Sequence, residues 1–305
     1  MSFSKRLITV VALMAVCASL TRAGEPVRLT DDGTLKRDPF FVEGGKSLIY
    51  GYDEKNDLVR VLKLDLESGK AEPFVLDVGN KHHIEPKISQ DGKMMTVTEC
   101  TGNLTAKLVI RNLETKKDVA ITHSGRGGTR SPSFSPDNSR VVYAFAETGP
   151  QQIWSVRVDG KDKKQITQCE GVSNWPTFTP DGKTIVYSNS RENNYEIYSM
   201  NADGSNEKQL TGNTLMDIRP AVSPNGKEIA FTSTRDGGYN VYVMNIDGGN
   251  VRALTQGLDR DDYPSWHPDG RHLVIVSERG GRFDLYLHEV PTANDAEKPV
   301  GDTGS

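Results

Sequence analysis

Six segments of the chain share one pattern: a proline, any residue, a bulky apolar residue, then a polar turn that ends in Gly or Asn. They begin at Pro39 (PFFVEGG), Pro86 (PKISQDG), Pro132 (PSFSPDN), Pro176 (PTFTPDG), Pro220 (PAVSPNG) and Pro264 (PSWHPDG), with successive spacings of 47, 46, 44, 44 and 44 residues. A period this regular over most of the chain is the signature of a repeat architecture, in which each unit buries its apolar face only against its neighbours. The fourth unit shows the content of a repeat. WPTFT is a short strand, TPDGK a tight turn, TIVYSNS an alternating half-buried strand, EIYSMNA a third strand, DGSN a turn and EKQLT a fourth strand. Proline presets φ in such turns, and Gly, or Asn138 in the third unit, accepts positive φ. No stretch beyond the N-terminal segment carries a helical period.

Four-stranded units of about 44 residues repeated six times specify an all-β, six-bladed β-propeller. A linear β-solenoid would need shorter repeats. Phe41, Ile88, Phe134, Phe178, Val222 and Trp266, the bulky residues of the first strands, are expected to pack between units. Fourth strands close as VAIT (119–122), KQIT (164–167), KQLT (208–211) and RALT (252–255), whereas the sixth unit runs from FDLYLHEV into a polar segment. VRLT at 27–30 has the missing pattern, so an N-terminal strand should complete the last blade and close the ring.

Residues 1–23 read as a signal peptide, with Lys5 and Arg6 ahead of the apolar LITVVALMAVCASL and small residues at Ala23 and Gly24. That run is short for a membrane anchor, and Met14-Ala15-Val16 lacks the small residue expected before a lipidated Cys17. The organisation is then signal peptide 1–23, propeller 24–290 and flexible tail 291–305, in a protein that is periplasmic or otherwise exported and lacks a transmembrane segment after cleavage. Loss of Lys5, Arg6 and Arg22 takes the formal net charge from −4 to −7, which argues against nucleic acid as a partner. Cys100 and Cys169 remain; they could pair outside the cytoplasm or stand as separate structural thiols.

The repeats, fullest in units four and five as PxxSPDGKxIxYxS followed by IYxMNxDG and LT, resemble the TolB-like six-bladed β-propellers over about residues 25–290. The resemblance implies a periplasmic propeller that binds partners at one face. TolB itself has a further N-terminal α/β domain, for which the segment between signal and first repeat leaves no room, so only the propeller part carries over.

In an antiparallel blade the loop entering the first strand and the loop between strands two and three share a face. Residues just before each Pro should therefore ring the channel: Arg37 and Asp38, Glu85, Arg130 and Ser131, Asn174 and Trp175, Asp217 and Arg219, Asp262 and Tyr263. Of these, Arg37, Glu85, Arg130, Trp175, Asp217, Arg219, Asp262 and Tyr263 are the candidate binding residues, a mixture of acids, arginines and aromatics suited to a charged ligand or a peptide end. The competing reading is that they pair with one another and with channel water.

No cofactor motif is present. His82, His83 and His123 lie in adjacent entry loops with Glu85 and are the candidate ligands for a divalent metal, although exposed loop histidines are commonly nothing more. His267 replaces the Ser of the turn motif at the opposite face and reads as a turn residue. The Asp-Gly pairs at 159–160, 203–204 and 247–248 lack the acidic ladder of a calcium loop and read as hairpin turns. No nucleophile elbow or phosphate loop occurs in a suitable context.

The expectation is thus a monomeric, non-enzymatic module that binds a protein or peptide partner in the cell envelope at its loop-rich face. The alternative is a metal-dependent carbohydrate-active enzyme resembling the oligogalacturonate lyases, whose fold is related and which use a histidine-bound metal. In it, Arg130 and Arg219 would hold substrate carboxylates.

Overall fold

Period-2 strands with an apolar face cannot remain as isolated sheets, and in this chain six of them stack face to face around a central axis. The computed structural model describes residues 24–54, 58–74, 79, 81–100, 106–124 and 127–291. The expected signal peptide and all but the first residue of the expected tail lie outside these. Each blade is a four-stranded antiparallel sheet. Blade one comprises Lys36–Val42, Ser47–Glu54, Leu58–Asp65 and Ala71–Pro73. The inner strands of blades two to six are His82–Ile88, Arg130–Phe134, Ser173–Phe178, Asp217–Val222 and Arg260–Trp266. Among the described residues no helix is long and apolar enough to cross a membrane. Cys100 and Cys169 are free thiols.

The bulky inner-strand residues pack between blades as expected. Phe134 joins Leu108, Ile110 and Ile121 of blade two to Val141, Tyr143 and Val156 of blade three. Phe178 does the same between blades three and four, and Val222 between four and five. Trp266 also donates its indole N–H to Ala221 O of blade five at 3.0 Å. Between the last blade and the first, Phe41, Leu48, Tyr50 and Leu64 meet Val274, Val276 and Leu285.

Ring closure comes from the N-terminal strand. Val27–Arg28 is the outer strand of blade six, paired antiparallel with Arg282–Glu289 through Val27–Leu287 and Arg28–Tyr286. The threonine that ends each LT sequence explains why this strand fits. Thr167, Thr211 and Thr255 each accept the N–H of a third-strand residue, Ile153, Ile197 and Val241, at 2.9 Å. Thr30 repeats the contact: its hydroxyl accepts the N–H of Leu285 at 3.0 Å and donates to Asp284 at 2.9 Å.

Asp284 is the hub of this clasp. It also pairs with Arg28 at 2.6 Å and lies 3.5 Å from the ammonium of Lys36, whose side chain is wholly buried and reaches Asp32 at 2.6 Å. Burial opposes ionisation of Asp284, but bonds from Arg28, Thr30 and the Gly33 N–H outweigh it and hold the carboxyl below its ordinary range. Its stabilising contribution is therefore present above pH about 4 and is lost as acid protonates it. Asp284→Ala leaves the buried Lys36 with one counter-charge, half exposed, and is expected to cost about 3 kcal/mol, read as a lower denaturant midpoint at pH 7. A loss no larger than that of an exposed ion pair would show that the clasp does not close the ring.

Candidate functional site

Every inner strand is broken by a bulge at the same place. The register shifts between Arg37 and Phe40, Ile84 and Lys87, Arg130 and Ser133, Asn174 and Thr177, Ile218 and Ala221, and Asp262 and Ser265. At each shift the residue before the proline is left-handed. Asp38, Glu85, Ser131, Trp175, Arg219 and Tyr263 have φ between 51° and 57°. Proline supplies no N–H to the ladder and restricts the residue before it, so the ladder yields at this point and the extra residue turns inward. Left-handed backbone is costly for a non-glycine residue, most of all for Trp and Tyr, and is held only by surrounding structure. The supports are visible: Asn174 Oδ1 accepts the N–H of Trp175, and Asp262 Oδ1 that of Tyr263, each at 2.8 Å.

These six side chains line the central channel in one tier. The residues just after the prolines, Phe40, Lys87, Ser133, Thr177, Ala221 and Ser265, form a second tier nearer the turn face. The channel encloses about 320 Å³, and a mouth of about 310 Å³ above it is lined by Arg37, Arg130, Asn174, Trp175, Arg219 and Tyr263 among others.

The polar groups divide by side. Arg219 lies with its guanidinium 4.2 Å from the Tyr263 ring centroid and 4.9 Å from that of Trp175, paired with Asp262 at 3.2 Å. Its Nε, like that of Arg37, is buried and finds no acceptor among the described residues. Glu85 accepts the Ser131 N–H at 2.7 Å and the Thr98 hydroxyl at 2.9 Å, tying blade two to blade three. Burial, and next the charge of Glu85, push the Asp38 carboxyl up to about 6, against the pull of Lys87, Arg219 and Arg37. Burial likewise pushes the Lys87 ammonium below its ordinary value, opposed by Asp38 and Glu85. Burial and then the charge of Asp38 push Tyr263 up to about 12.

Glu85, Trp175, Arg219 and Tyr263 thus face the channel, and Arg37 and Arg130 its mouth. Arg37 forks onto Asp53 at 2.7 and 2.9 Å. Asp217 and Asp262 stand one layer back as buried supports. Asp217 holds Arg235 at 2.8 Å, and Asp262 accepts from Thr232 at 2.9 Å and from Arg260 at 2.9 Å. Lys87 was not among the sequence candidates. Its signal is a long cation at a position where four of the other five repeats carry Ser, Thr or Ala.

The three candidate histidines occupy separate surroundings, and His82 and His83 begin the inner strand of blade two rather than lying in its entry loop. His82 Nδ1 meets the Val59 N–H at 3.4 Å. His83 is buried with Nε2 3.3 Å from Glu99, and burial lowers its pKa. His123 stacks 3.6 Å from Phe145 with Nε2 2.9 Å from the Tyr143 hydroxyl, and burial, then Lys163, lower it to about 4. Among the described residues the His, Cys, Asp and Glu side chains whose ligand atoms gather within 4.8 Å of one another are His267, Asp269 and His272 instead.

Comparison with known proteins agrees with this architecture. A structure assigned as TolB from Agrobacterium tumefaciens superposes with a TM-score of 0.69 at 22% identity, covering 87% of this chain and 93% of that one. TolB from Acinetobacter baumannii gives 0.66 at 22%, covering 81% and 65%. An oligogalacturonate lyase in complex with manganese gives 0.60 at 14%, covering 89% and 94%. At these identities the likeness is one of fold. A curated relative, the uncharacterized protein Atu1656 of Agrobacterium fabrum, is 28% identical over 139 residues, and the match spans 46% of this chain and 42% of that protein's length. The TolB beta propeller domain model, PD40, matches residues 69–219 and 208–300, so the chain belongs to the TolB β-propeller family.

Proposed function

We propose that the protein is an exported binding module that engages a protein or peptide partner of the cell envelope at its channel mouth, without catalysis. The observation that carries this reading is the strained tier itself. Six left-handed residues, two of them large aromatics, project acids, an arginine and apolar rings into one opening. Strain of this kind concentrates where a fold presents side chains to a ligand.

The chemistry suits a chain end. Asp38 and Glu85 repel each other, so a partner's ammonium or lysine would relieve them, while Trp175 and Tyr263 offer apolar contact. Leu258, 91% exposed, and Leu215, 42% exposed, lie on the entry loops of blades six and five at the same face and would extend an interface outward. Export rests on the signal-like N-terminus and on the TolB kinship. The alternative, a metal-dependent lyase, draws on the fold likeness to oligogalacturonate lyase alone; the separate placing of His82, His83 and His123 gives it less support.

A photocrosslinker placed at Leu258 in cells is expected to capture one defined partner, and Trp175→Ala with Asp38→Ala to abolish that capture; the same crosslinker at Asp203, on the turn face, should capture none. Equal capture from both faces, or none from either, overturns the reading.

The channel carboxylate makes a second, chemical prediction. A carboxyl whose folded pKa is raised above its unfolded value destabilises the fold as pH rises, here from about 4 to about 6. Asp38→Asn should therefore gain stability over the unsubstituted chain through that window, by on the order of 1 kcal/mol, and hold the gain to pH 8. A stability difference that does not change with pH would remove Asp38 from the repelling pair.

A further inference from the structure

The turn of blade six departs from its counterparts. In blades two to five the residue after the inner strand is a Ser or Thr whose hydroxyl bonds an Asp or Asn two residues on: Ser89 to Asp91, Ser135 to Asp137, Thr179 to Asp181 and Ser223 to Asn225, at 2.5–2.8 Å. Blade six has His267 at this position, and HPDGRH adds a second imidazole, His272, at the start of the next strand. A hydroxyl suffices to build the turn, so two imidazoles on one carboxylate are in excess of what the turn needs.

Their arrangement is that of a ligand set. Asp269 Oδ2 lies 3.0 Å from His267 Nδ1 and 2.7 Å from His272 Nδ1. Its other oxygen accepts the N–H groups of Arg271 at 2.8 Å and His272 at 3.1 Å, which locks the carboxylate and leaves Oδ2 to the imidazoles. His267 Nε2 is 3.3 Å from Gly45 O in blade one; a carbonyl only accepts, so Nε2 carries the proton and, in the neutral ring, Nδ1 is free to accept or to ligate. Nδ1 stands 3.1 Å from the Asp269 N and 3.0 Å from the carboxylate oxygen, so in the neutral ring it faces another acceptor. A cation between them would resolve the opposition, and an outer imidazole N–H held by a backbone carbonyl is the usual support of a metal-binding histidine.

The site is built rather than merely exposed. The His267 ring packs edge-on to Phe41 at 4.7 Å, and a Cβ on Gly45 would come within 2.2 Å of Nε2, so glycine there is what admits the imidazole. Both supports belong to blade one, which places the cluster across the seam where the ring closes.

We infer that His267, Asp269 and His272 bind a divalent transition-metal ion, through both Nδ1 atoms and Oδ2. Two imidazoles and a carboxylate suit Zn²⁺ and its neighbours over Mg²⁺ or Ca²⁺. The ion would brace the blade-six turn whose His267 ring contacts the first blade, at the turn face and independently of whatever binds at the channel mouth.

Calorimetric titration of the tag-free full chain with ZnCl₂ tests this. One saturable Zn²⁺ per chain is expected, with affinity reduced at least about tenfold in His272→Ala and in His267→Ser. The serine variant restores the hydroxyl of blades two, three and five, so its turn should persist, and a single cooperative unfolding transition in EDTA verifies that the fold does. His82→Ala, His83→Ala and His123→Ala should bind as the unsubstituted chain does. Absence of saturable binding up to about 100 μM Zn²⁺, or binding unchanged in both turn variants, overturns the inference.

Discussion

A four-stranded blade has two faces and can bury neither alone; everything else here depends on the first and last blades meeting. The meeting is made by apolar contact of Phe41, Leu48 and Tyr50 with Val274, Val276 and Leu285, and by a strand from the N-terminal end that enters the last sheet. Thr30 fastens that strand by accepting the Leu285 N–H, the bond that Thr167, Thr211 and Thr255 use inside their own blades. Closure is thus one more copy of a local rule, applied between segments more than 250 residues apart. With the ring closed, six prolines fall at one level around the axis, and the residues beside them become neighbours.

Much of this was legible in the sequence because repetition multiplies weak signals. A single PDG turn followed by an alternating strand says little, but six at a near-constant spacing leave few other folds, and the unpaired LT at Thr30 told which blade lacked its outer strand. The channel tier was legible in part. Proline marks where the ladder must yield, so residues before it were expected at the channel, and Glu85, Trp175, Arg219 and Tyr263 are there. Which residue of each pair turns inward depends on the bulge. Asp38 and Ser131 take the left-handed position, while Arg37 and Arg130 stay at the mouth. Asp217 and Asp262 look equivalent to their neighbours in sequence, yet strand alternation sends them back to hold arginines.

The histidines show the limit of proximity in sequence. His82 and His83 are consecutive on a strand and so point to opposite faces, and His123 is absorbed into an aromatic cluster with Phe145 and Trp154. His267 looks like an incidental turn residue because the turn pattern hides that it and His272 flank one carboxylate. The scaffold is therefore written in what the repeats share, and the chemistry in where they differ.

The channel tier depends on the left-handed turn at the six residues before proline, since that aims their side chains into the channel. NMR three-bond HN–Hα couplings and Cα/Cβ chemical shifts at Asp38, Glu85, Ser131, Trp175, Arg219 and Tyr263 report it most directly. Left-handed values at all six are predicted. Extended values there would turn these side chains away from the axis and contradict the site.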